Sequence, residues 1–268
     1  NQLLADTAAG FVQRNPDQIR KTVRSTRAAV PRSIRVIPVS VEWRKPSFPK
    51  ACFQLLDRLN TFLDGISSQW RRETGQKLKV LVLWRYNLLD PFHGQPPEFS
   101  AIEVAGMSFH RSKGLEADYT ILLDVSEGDY GVPSRIEDDE LLNLVIPRPE
   151  TFAYAEERRL FYVALTRASR GTFILCNRRK PSRYIRELCE IAGNEVRFET
   201  IEGKELDQCP SCLVGELVER KGRNDTTFYG CNQFPECRHT QQSPPAAPHR
   251  QQAGEAGVVE TVNRARAF

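Results

Sequence analysis

Apolar residues along the first 200 positions recur with two different periods, one typical of helices and one typical of strands. Helical spacing predicts helices over residues 2–13, from about Asp17, and over residues 49–72, 155–168 and 182–192. Short apolar or alternating runs predict strands over residues 33–41, 79–84, 102–109, 119–125, 172–176 and 196–201. Short apolar strands that alternate with helices are typical of an α/β domain with a mostly parallel sheet flanked by helices.

The longest periodic segment, residues 49–72, indicates which helix face packs on that sheet. The residues at helical spacing are Phe53, Leu56, Leu59, Leu63 and Ile66. We expect this face, together with Cys52, to be buried.

Length and charge bound the organisation of the chain. Its 268 residues can hold one large domain, or a medium domain with a small satellite. Residues 1–50 contain ten Lys or Arg and three acidic residues, which indicates either a polyanion partner or a solvated basic helix face. The longest strongly apolar stretch, residues 80–84, is too short to cross a bilayer, and no signal peptide is visible. These features favour a soluble, cytoplasmic protein without membrane contact. Because the chain begins with Asn1, we expect it to be a fragment or a processed product.

Four cysteines near the end of the chain have metal-ligand spacing. Cys209 and Cys212 are separated by two residues, and Cys231 and Cys237 follow after a segment long enough for a hairpin. Two such pairs can complete a tetrahedral, structural Zn²⁺ site with no open position. Two disulfides, four unrelated thiols and a rubredoxin-type iron site are the alternatives. Residues 204–240 are too few for a stable apolar core, so we expect this lobe to be disordered without metal. The Pro-, Ala-, Gln- and Gly-rich residues 241–268 predict a disordered tail.

Two segments carry candidate chemistry. The first, Ser108–Tyr119, lies between two predicted strands, where α/β sheets usually place ligand-binding loops. The alternative is that these residues carry no chemistry. Lys113 would then be a solvated side chain, Gly114 would serve a turn and His110 would be a structural histidine.

The second segment is the predicted helix over residues 155–168. There Leu160, Val163 and Arg167 share one stripe, which would aim the Arg167 guanidinium at an anion such as a phosphate. Simple pairing of the arginines in this segment with Glu156 and Glu157 is the alternative.

Together these segments closely resemble motifs V and VI of superfamily I DNA helicases of the UvrD and Rep type. Phe11–Gln18 and Val80–Asn87 also resemble the corresponding stretches of the helicase IV branch. The resemblance covers roughly residues 1–195. It implies that residues 1–203 form the second RecA-like domain, which has the fold of P-loop NTPases and closes over ATP held by the first.

The resemblance also implies roles for individual residues. Arg167 would be the catalytic arginine finger that reaches the γ-phosphate, and Glu116 would bond the ribose, with Lys113 and Gly114 beside the nucleotide. Residues expected to contact single-stranded DNA are Ser108, where the family more often has threonine, and His110, Arg85 and Tyr86. The complete protein would use ATP and Mg²⁺ and move in the 3′ to 5′ direction.

A phosphate-binding Gly-x-x-x-x-Gly-Lys-Ser/Thr sequence is absent, since the only Gly-Lys pair, Gly203-Lys204, is followed by Glu205. We therefore expect an N-terminal ATP-binding RecA-like domain as a partner, and no ATP hydrolysis by this chain alone. Asp124 and the acidic run over residues 137–140 are assigned no chemistry.

The cysteine-rich lobe resembles the C-terminal zinc ribbons of bacterial type IA topoisomerases, which bind single-stranded DNA. From Cys209 to Thr240 four basic and four acidic residues balance one another, so base stacking on Phe228, Tyr229 and Phe234 is the better mechanism. We expect at least one of these rings to be exposed. The lobe could also contact a protein partner. The alternative function for the whole chain is a nonenzymatic DNA-binding or adaptor module on a helicase-derived scaffold.

Overall fold

The computed structural model describes residues 1–20, 24–25, 29–42, 46–136, 152–222 and 225–245. In this part of the chain a six-stranded sheet contains β1 (Ile34–Val39), β2 (Leu78–Trp84), β3 (Ile102–Ser108), β4 (Ala117–Leu122), β5 (Ala168–Asn177) and β6 (Val196–Phe198). The strand order is β3-β2-β4-β5-β1-β6, and every neighbouring pair is parallel. The predicted α/β class with a mostly parallel sheet is confirmed.

Helices cover both faces of this sheet. They are α1 (Gln2–Val12), α2 (Ser47–Thr74), α3 (Ala155–Leu165) and α4 (Arg183–Ala192). Leu81 and Leu83 belong to one buried cluster with α1, α3 and α4, whereas Val80 and Val82 belong to a second cluster with α2. The sheet is therefore buried on both faces, which explains why β2 is apolar at every position from Val80 to Trp84.

The predicted buried face of α2 is confirmed in part, and the side chains of Leu63 and Ile66 lie outside those that the structure describes. Cys52, Leu55, Leu56 and Leu59 are buried, as expected for Cys52, Leu56 and Leu59, but Phe53 is 37% exposed. The Phe53 ring packs edge-on against Phe92 at a centroid distance of 5.7 Å, so it covers the rim of the core rather than filling it.

A buried arginine joins α1, α3 and α4. The Arg158 guanidinium forms a two-pronged ion pair with Glu187, with N–O distances of 2.6 and 3.0 Å, and donates to the carbonyl of Phe11. Its central carbon lies 4.5 Å from the Phe11 ring centroid and 5.1 Å from that of Tyr184. Because each helix contributes to this contact, Arg158 fixes α3 relative to its neighbours.

Several predicted boundaries differ from the structure. The basic helix predicted from Asp17 is not present in residues 17–20 or 24–25, which are turns and irregular chain. The acidic run over residues 137–140 lies outside the described residues, as does residue 246 onward of the predicted tail.

The C-terminal lobe is a three-stranded antiparallel sheet of β7 (Leu217–Lys221), β8 (Thr227–Cys231) and β9 (Thr240–Gln241). Gln241 pairs with Tyr229, so this lobe extends one residue into the segment predicted as a tail. Among the described residues, no helix combines the length and apolar character needed to span a bilayer.

Candidate functional site

The predicted nucleotide residues and the predicted DNA residues lie at opposite edges of the parallel sheet. Ala117 of β4 lies opposite Ala168 of β5, so the preceding residues, Glu116 and Arg167, are neighbours at the amino edge. Ser108 ends β3 at the carboxyl edge, paired with Trp84 at the end of β2. The loop that follows β3 therefore begins at the carboxyl edge after Ser108 and reaches the amino edge at Glu116.

The Arg167 guanidinium is held by main-chain carbonyls. Its Nε donates to Val163 at 2.9 Å and its Nη1 donates to Leu115 at 2.9 Å, while Nη2 donates to the Thr166 hydroxyl at 3.1 Å. A guanidinium has about five N–H donors, so two are left without a partner among the described residues. In the same part of the chain Arg167 has no carboxylate partner. This arrangement leaves a positioned, uncompensated cation.

Helix α3 ends earlier than predicted, and Arg167 lies beyond it. The Thr166 hydroxyl donates to the carbonyls of Tyr162 and Val163, which satisfies the last turn. The Arg167 carbonyl instead accepts from the Ala117 N–H at 3.0 Å. Arg167 therefore joins the start of the sheet, where its backbone is fixed relative to β4.

The loop between β3 and β4 is anchored at its middle and exposed near its end. Phe109 and Ser112 are buried, and the Ser112 hydroxyl donates to the Phe109 carbonyl at 2.7 Å. Gly114 has φ +86°, a left-handed conformation that favours glycine. Lys113 and Glu116 are exposed on either side of it. At the amino edge, Arg167 and Glu116 have no oppositely charged partner among the described residues, which suits a ligand with phosphate and hydroxyl groups.

At the carboxyl edge, Arg85 and Tyr86 are occupied within the chain. Arg85 forms a two-pronged ion pair with Glu157 at 2.6 and 2.9 Å, and its guanidinium lies 4.5 Å from the Tyr86 ring centroid. The Tyr86 hydroxyl is hydrogen-bonded to Ser134 at 2.6 Å. Ser108 is buried, whereas His110 is exposed.

The arginines around Arg167 differ in their partners. Arg159 pairs with Glu156, Arg158 pairs with Glu187, and Glu157 pairs with Arg85. The alternative of pairing with Glu156 and Glu157 therefore holds for Arg159 alone.

Tyr130 is an exposed ring at the carboxyl edge that the sequence analysis missed. Its ring is 60% exposed and meets Tyr86 edge-on at 5.5 Å. The signal was an aromatic residue flanked by turn residues, eight residues after the end of β4. Gly131 beside it is required, because a Cβ there would lie 2.1 Å from the Ser126 carbonyl oxygen.

The four predicted metal ligands come together. The sulfurs of Cys209, Cys212, Cys231 and Cys237 all lie within 4.8 Å of one another, and all four residues are buried. The Cys209–Cys237 and Cys212–Cys231 sulfur distances are 3.9 and 3.7 Å. A tetrahedron with Zn–S bonds of about 2.3 Å has edges of about 3.8 Å, so the donor set fits zinc.

The surroundings of the sulfurs fit a metal as well. Gly215 donates its N–H to the Cys212 sulfur at 3.2 Å, and Gln233 donates its N–H to the Cys231 sulfur at 3.4 Å. A Cβ on Gly215 would lie 2.4 Å from the Cys231 sulfur. Burial raises the pKa of the Cys231 thiol, so a bound cation is needed to keep it as a thiolate.

The three predicted stacking rings are not equally available. Phe234 is 65% exposed, which confirms that at least one ring is open. Phe228 and Tyr229 are half-buried on β8. Phe234 lies in the turn between Cys231 and Cys237, and is therefore fixed by the metal ligands on both sides.

Comparisons with known proteins identify a family for each of two parts of the chain. Residues 19–179, more than half of the chain, match the UvrD-like helicase C-terminal domain. Residues 207–246 match the topoisomerase DNA binding C4 zinc finger. The metal centre is therefore a topoisomerase-type C4 zinc ribbon.

Curated relatives cover either part. DNA helicase IV of Escherichia coli (strain K12) is 28% identical over 69% of this chain and 24% of its own length. ATP-dependent DNA helicase Rep of Salmonella typhimurium (strain LT2) is 33% identical over 40% of this chain and 15% of its own length. DNA topoisomerase 1 of Campylobacter jejuni is 28% identical over 38% of this chain and 15% of its own length. The chain thus spans about a quarter or less of each of these relatives.

Proposed function

The chain belongs to the UvrD-like helicase C-terminal domain family, and on that premise we propose that it is the C-terminal part of an ATP-dependent 3′ to 5′ DNA helicase or translocase. In this proposal the amino edge of its sheet faces the nucleotide and the carboxyl edge faces single-stranded DNA. The zinc ribbon is a further DNA-binding element. The observation that carries the proposal is the carbonyl-held Arg167 beside Glu116.

Arg167 acts as the arginine finger. Its cation is uncompensated within the described part of the chain, and hydrogen bonds to Leu115 and Val163 set its direction before any ligand binds. Such a guanidinium stabilises the charge that develops on a transferring phosphoryl group, and in other nucleotide hydrolases it contributes about 10³ to 10⁵ in rate. Because no carboxylate competes for it, little reorganisation is needed for that contact.

Glu116 accepts a hydrogen bond from the ribose, and Lys113 and the left-handed Gly114 lie beside the nucleotide. The phosphates and Mg²⁺ are held by a separate RecA-like domain, since this sequence has no phosphate-binding loop. This chain alone therefore neither retains ATP tightly nor hydrolyses it.

The DNA side of the proposal uses the carboxyl edge. His110 is exposed there, and Ser108 ends the neighbouring strand. Helix α3 links the two edges, because Glu157 in its first turn holds Arg85 and Arg167 follows its last turn. A shift of Arg167 on nucleotide binding would therefore move the element that fixes Arg85 and Tyr86.

The zinc ribbon contributes stacking, with Phe234 as the open ring. Zinc, when bound, holds four thiolates in a closed tetrahedron and supplies folding energy rather than catalysis. The four cysteines and Gly215 fix the turn that carries Phe234.

Directional displacement of streptavidin tests this function. The complete protein is given ATP and a single-stranded oligonucleotide biotinylated at either end. We expect ATP-dependent removal of streptavidin from the 5′ end and little from the 3′ end. Removal of streptavidin that is equal at both ends and does not depend on ATP would favour the nonenzymatic DNA-binding alternative.

A further inference from the structure

We propose that the zinc ribbon and the helicase domain share one composite surface for single-stranded DNA, in which Phe234 provides the stacking ring and Arg179 and Lys180 provide the phosphate contacts. This inference rests on the DNA-binding function proposed above. It assigns a ligand contact to two cations of the helicase domain and makes the ribbon part of the same binding site.

The ribbon is joined to the carboxyl end of β5 through Arg178. The Gln233 side chain donates to the Arg178 carbonyl at 2.6 Å, and the Arg178 guanidinium pairs with Glu216. Glu216 and Asn232 exchange two further hydrogen bonds, at 2.9 and 3.0 Å. Because Gln233 also donates its N–H to the Cys231 sulfur, the junction is built directly on the metal ligands.

The cations around this junction are not equivalent. Arg178 is compensated by Glu216, and Arg183 is compensated by Glu127. Arg179 and Lys180 are both exposed, and neither has a carboxylate partner in the part of the chain that the structure describes. The two free cations therefore lie immediately beside the ribbon.

The ribbon itself offers a ring but no net charge. From Cys209 to Thr240 its basic residues are Arg220, Lys221, Arg223 and Arg238, and its acidic residues are Glu216, Glu219, Asp225 and Glu236. Single-strand binding sites combine aromatic platforms with a positive groove that follows the backbone. Phe234 supplies the first of these and the Arg179–Lys180 pair supplies the second.

The positions of the three residues fit one short strand. Phe234 follows Gln233 and Arg179 follows Arg178, so each is one residue, about 3.8 Å between Cα atoms, from the hydrogen-bonded pair. A single binding fold typically covers about 4 to 16 nucleotides, which is enough to reach from the ring to both cations.

Fluorescence anisotropy with the full, zinc-loaded chain tests the inference. The probe is a labelled oligo-dT of about eight nucleotides, measured over a salt series, with an abasic oligonucleotide of equal length as the second probe. The variants are Arg179→Ala/Lys180→Ala and Phe234→Ala. The matched control, Lys50→Ala/Lys79→Ala, removes the same charge from exposed positions outside the ribbon and its junction. Zinc content and melting temperature confirm that each variant is folded.

We expect the Arg179→Ala/Lys180→Ala change to reduce the salt slope by about 1.4, which corresponds to two phosphate contacts at about 0.7 each. We expect Phe234→Ala to weaken oligo-dT binding about 5- to 150-fold at an unchanged slope. The abasic probe should not respond to Phe234→Ala.

The inference would be overturned if Arg179→Ala/Lys180→Ala had the same salt slope as the control variant. It would also be overturned if Phe234→Ala lost equal affinity for oligo-dT and for the abasic probe. Loss of binding to an acidic peptide, without loss of binding to DNA, would assign the two cations to a protein partner instead. No binding of oligo-dT by the unaltered chain at low salt would contradict the proposed DNA-binding function itself.

Discussion

The Nη1 atom of Arg167 donates a 2.9 Å hydrogen bond to the main-chain carbonyl of Leu115. This bond joins two segments that are 52 residues apart in the sequence, and it places the guanidinium next to Glu116 at the amino edge of the sheet. The direction of Arg167 is therefore set by backbone atoms of the loop that carries the proposed ribose ligand. A conformational change in that loop would therefore change the orientation of the Arg167 guanidinium.

The first prediction concerns nucleotide selectivity. Replacing Glu116 with Gln in the complete protein keeps an acceptor oxygen but removes its charge, which should cost about half of a charge-assisted hydrogen bond worth about 1.5 to 3 kcal/mol. We expect KM for ATP to rise by about 3- to 10-fold, and the preference for ATP over deoxyribose analogues to decrease. Glu103→Gln, at an exposed position on β3, is the matched control. An unchanged KM and preference would remove Glu116 from the nucleotide site.

The second prediction concerns the metal. We expect one zinc per chain by elemental analysis, and Cys231→Ser should abolish it, because three ligands do not close a structural site. Limited proteolysis should then cut the ribbon and spare the helicase domain. Gly215→Ala should lower zinc affinity, since its Cβ would lie 2.4 Å from the Cys231 sulfur. Cys52→Ala is the control, because Cys52 lies in the core under α2. Full zinc content in Cys231→Ser would contradict the site.

The third prediction compares two adjacent arginines. Arg158→Ala removes the two-pronged partner of Glu187 in a site where the Arg158 side chain is 6% exposed, and leaves Glu187 with Arg14 at 3.4 Å. We therefore expect a loss of about 1.5 to 3 kcal/mol in unfolding free energy. Arg159→Ala removes a surface pair with Glu156 and should change stability by less than about 1 kcal/mol. Urea unfolding of both variants measures the difference. Equal effects would show that the contact joining α1, α3 and α4 does not stabilise the domain.

The fourth prediction concerns acid stability. Partial burial alone would raise the pKa of Glu127, but hydrogen bonds from Arg183 and Arg135 outweigh burial and lower the pKa to about 2. A lowered pKa in the folded state adds stability that is complete above the ordinary value near 4.5 and is lost as pH falls towards 2. The difference in unfolding midpoint between the unaltered chain and Glu127→Gln should therefore shrink over that pH range. A difference that does not vary with pH would contradict this assignment.

The sequence predicted the α/β class and the metal ligands because both depend on local spacing. The apolar run of β2 and the pair Cys209 and Cys212 each reflect a constraint that acts within a few residues. Cys231 and Cys237 were recognisable because a closed site needs a second pair.

Tertiary contacts explain what the sequence did not predict. The end of α3 depends on the pairing of the Arg167 carbonyl with Ala117, which lies far away in the chain. The sequence placed Glu116 between two strands but did not indicate an edge, and an eight-residue loop returns the chain from the end of β3 to the start of β4. Nothing in the sequence indicated that Arg85 forms an ion pair with Glu157 or that the Tyr86 hydroxyl is hydrogen-bonded to Ser134, because both partners are distant in the chain. The junction at Arg178 joins two units that the sequence analysis treated separately.

Arg167 is the residue on which the proposed ATP-dependent function depends most. The most direct measurement is single-stranded-DNA-stimulated phosphate release by the complete protein, comparing the unaltered form with Arg167→Ala and Arg167→Lys. We predict that Arg167→Ala lowers kcat by about 10³ or more, while the affinity for single-stranded DNA stays within about threefold. We also predict that Arg167→Lys does not restore the rate. The lysine ammonium lacks the planar fork of donors with which arginine bonds Val163 and Leu115 and also reaches a phosphate. Normal turnover of ATP by Arg167→Ala would contradict the assignment of Arg167 as the arginine finger.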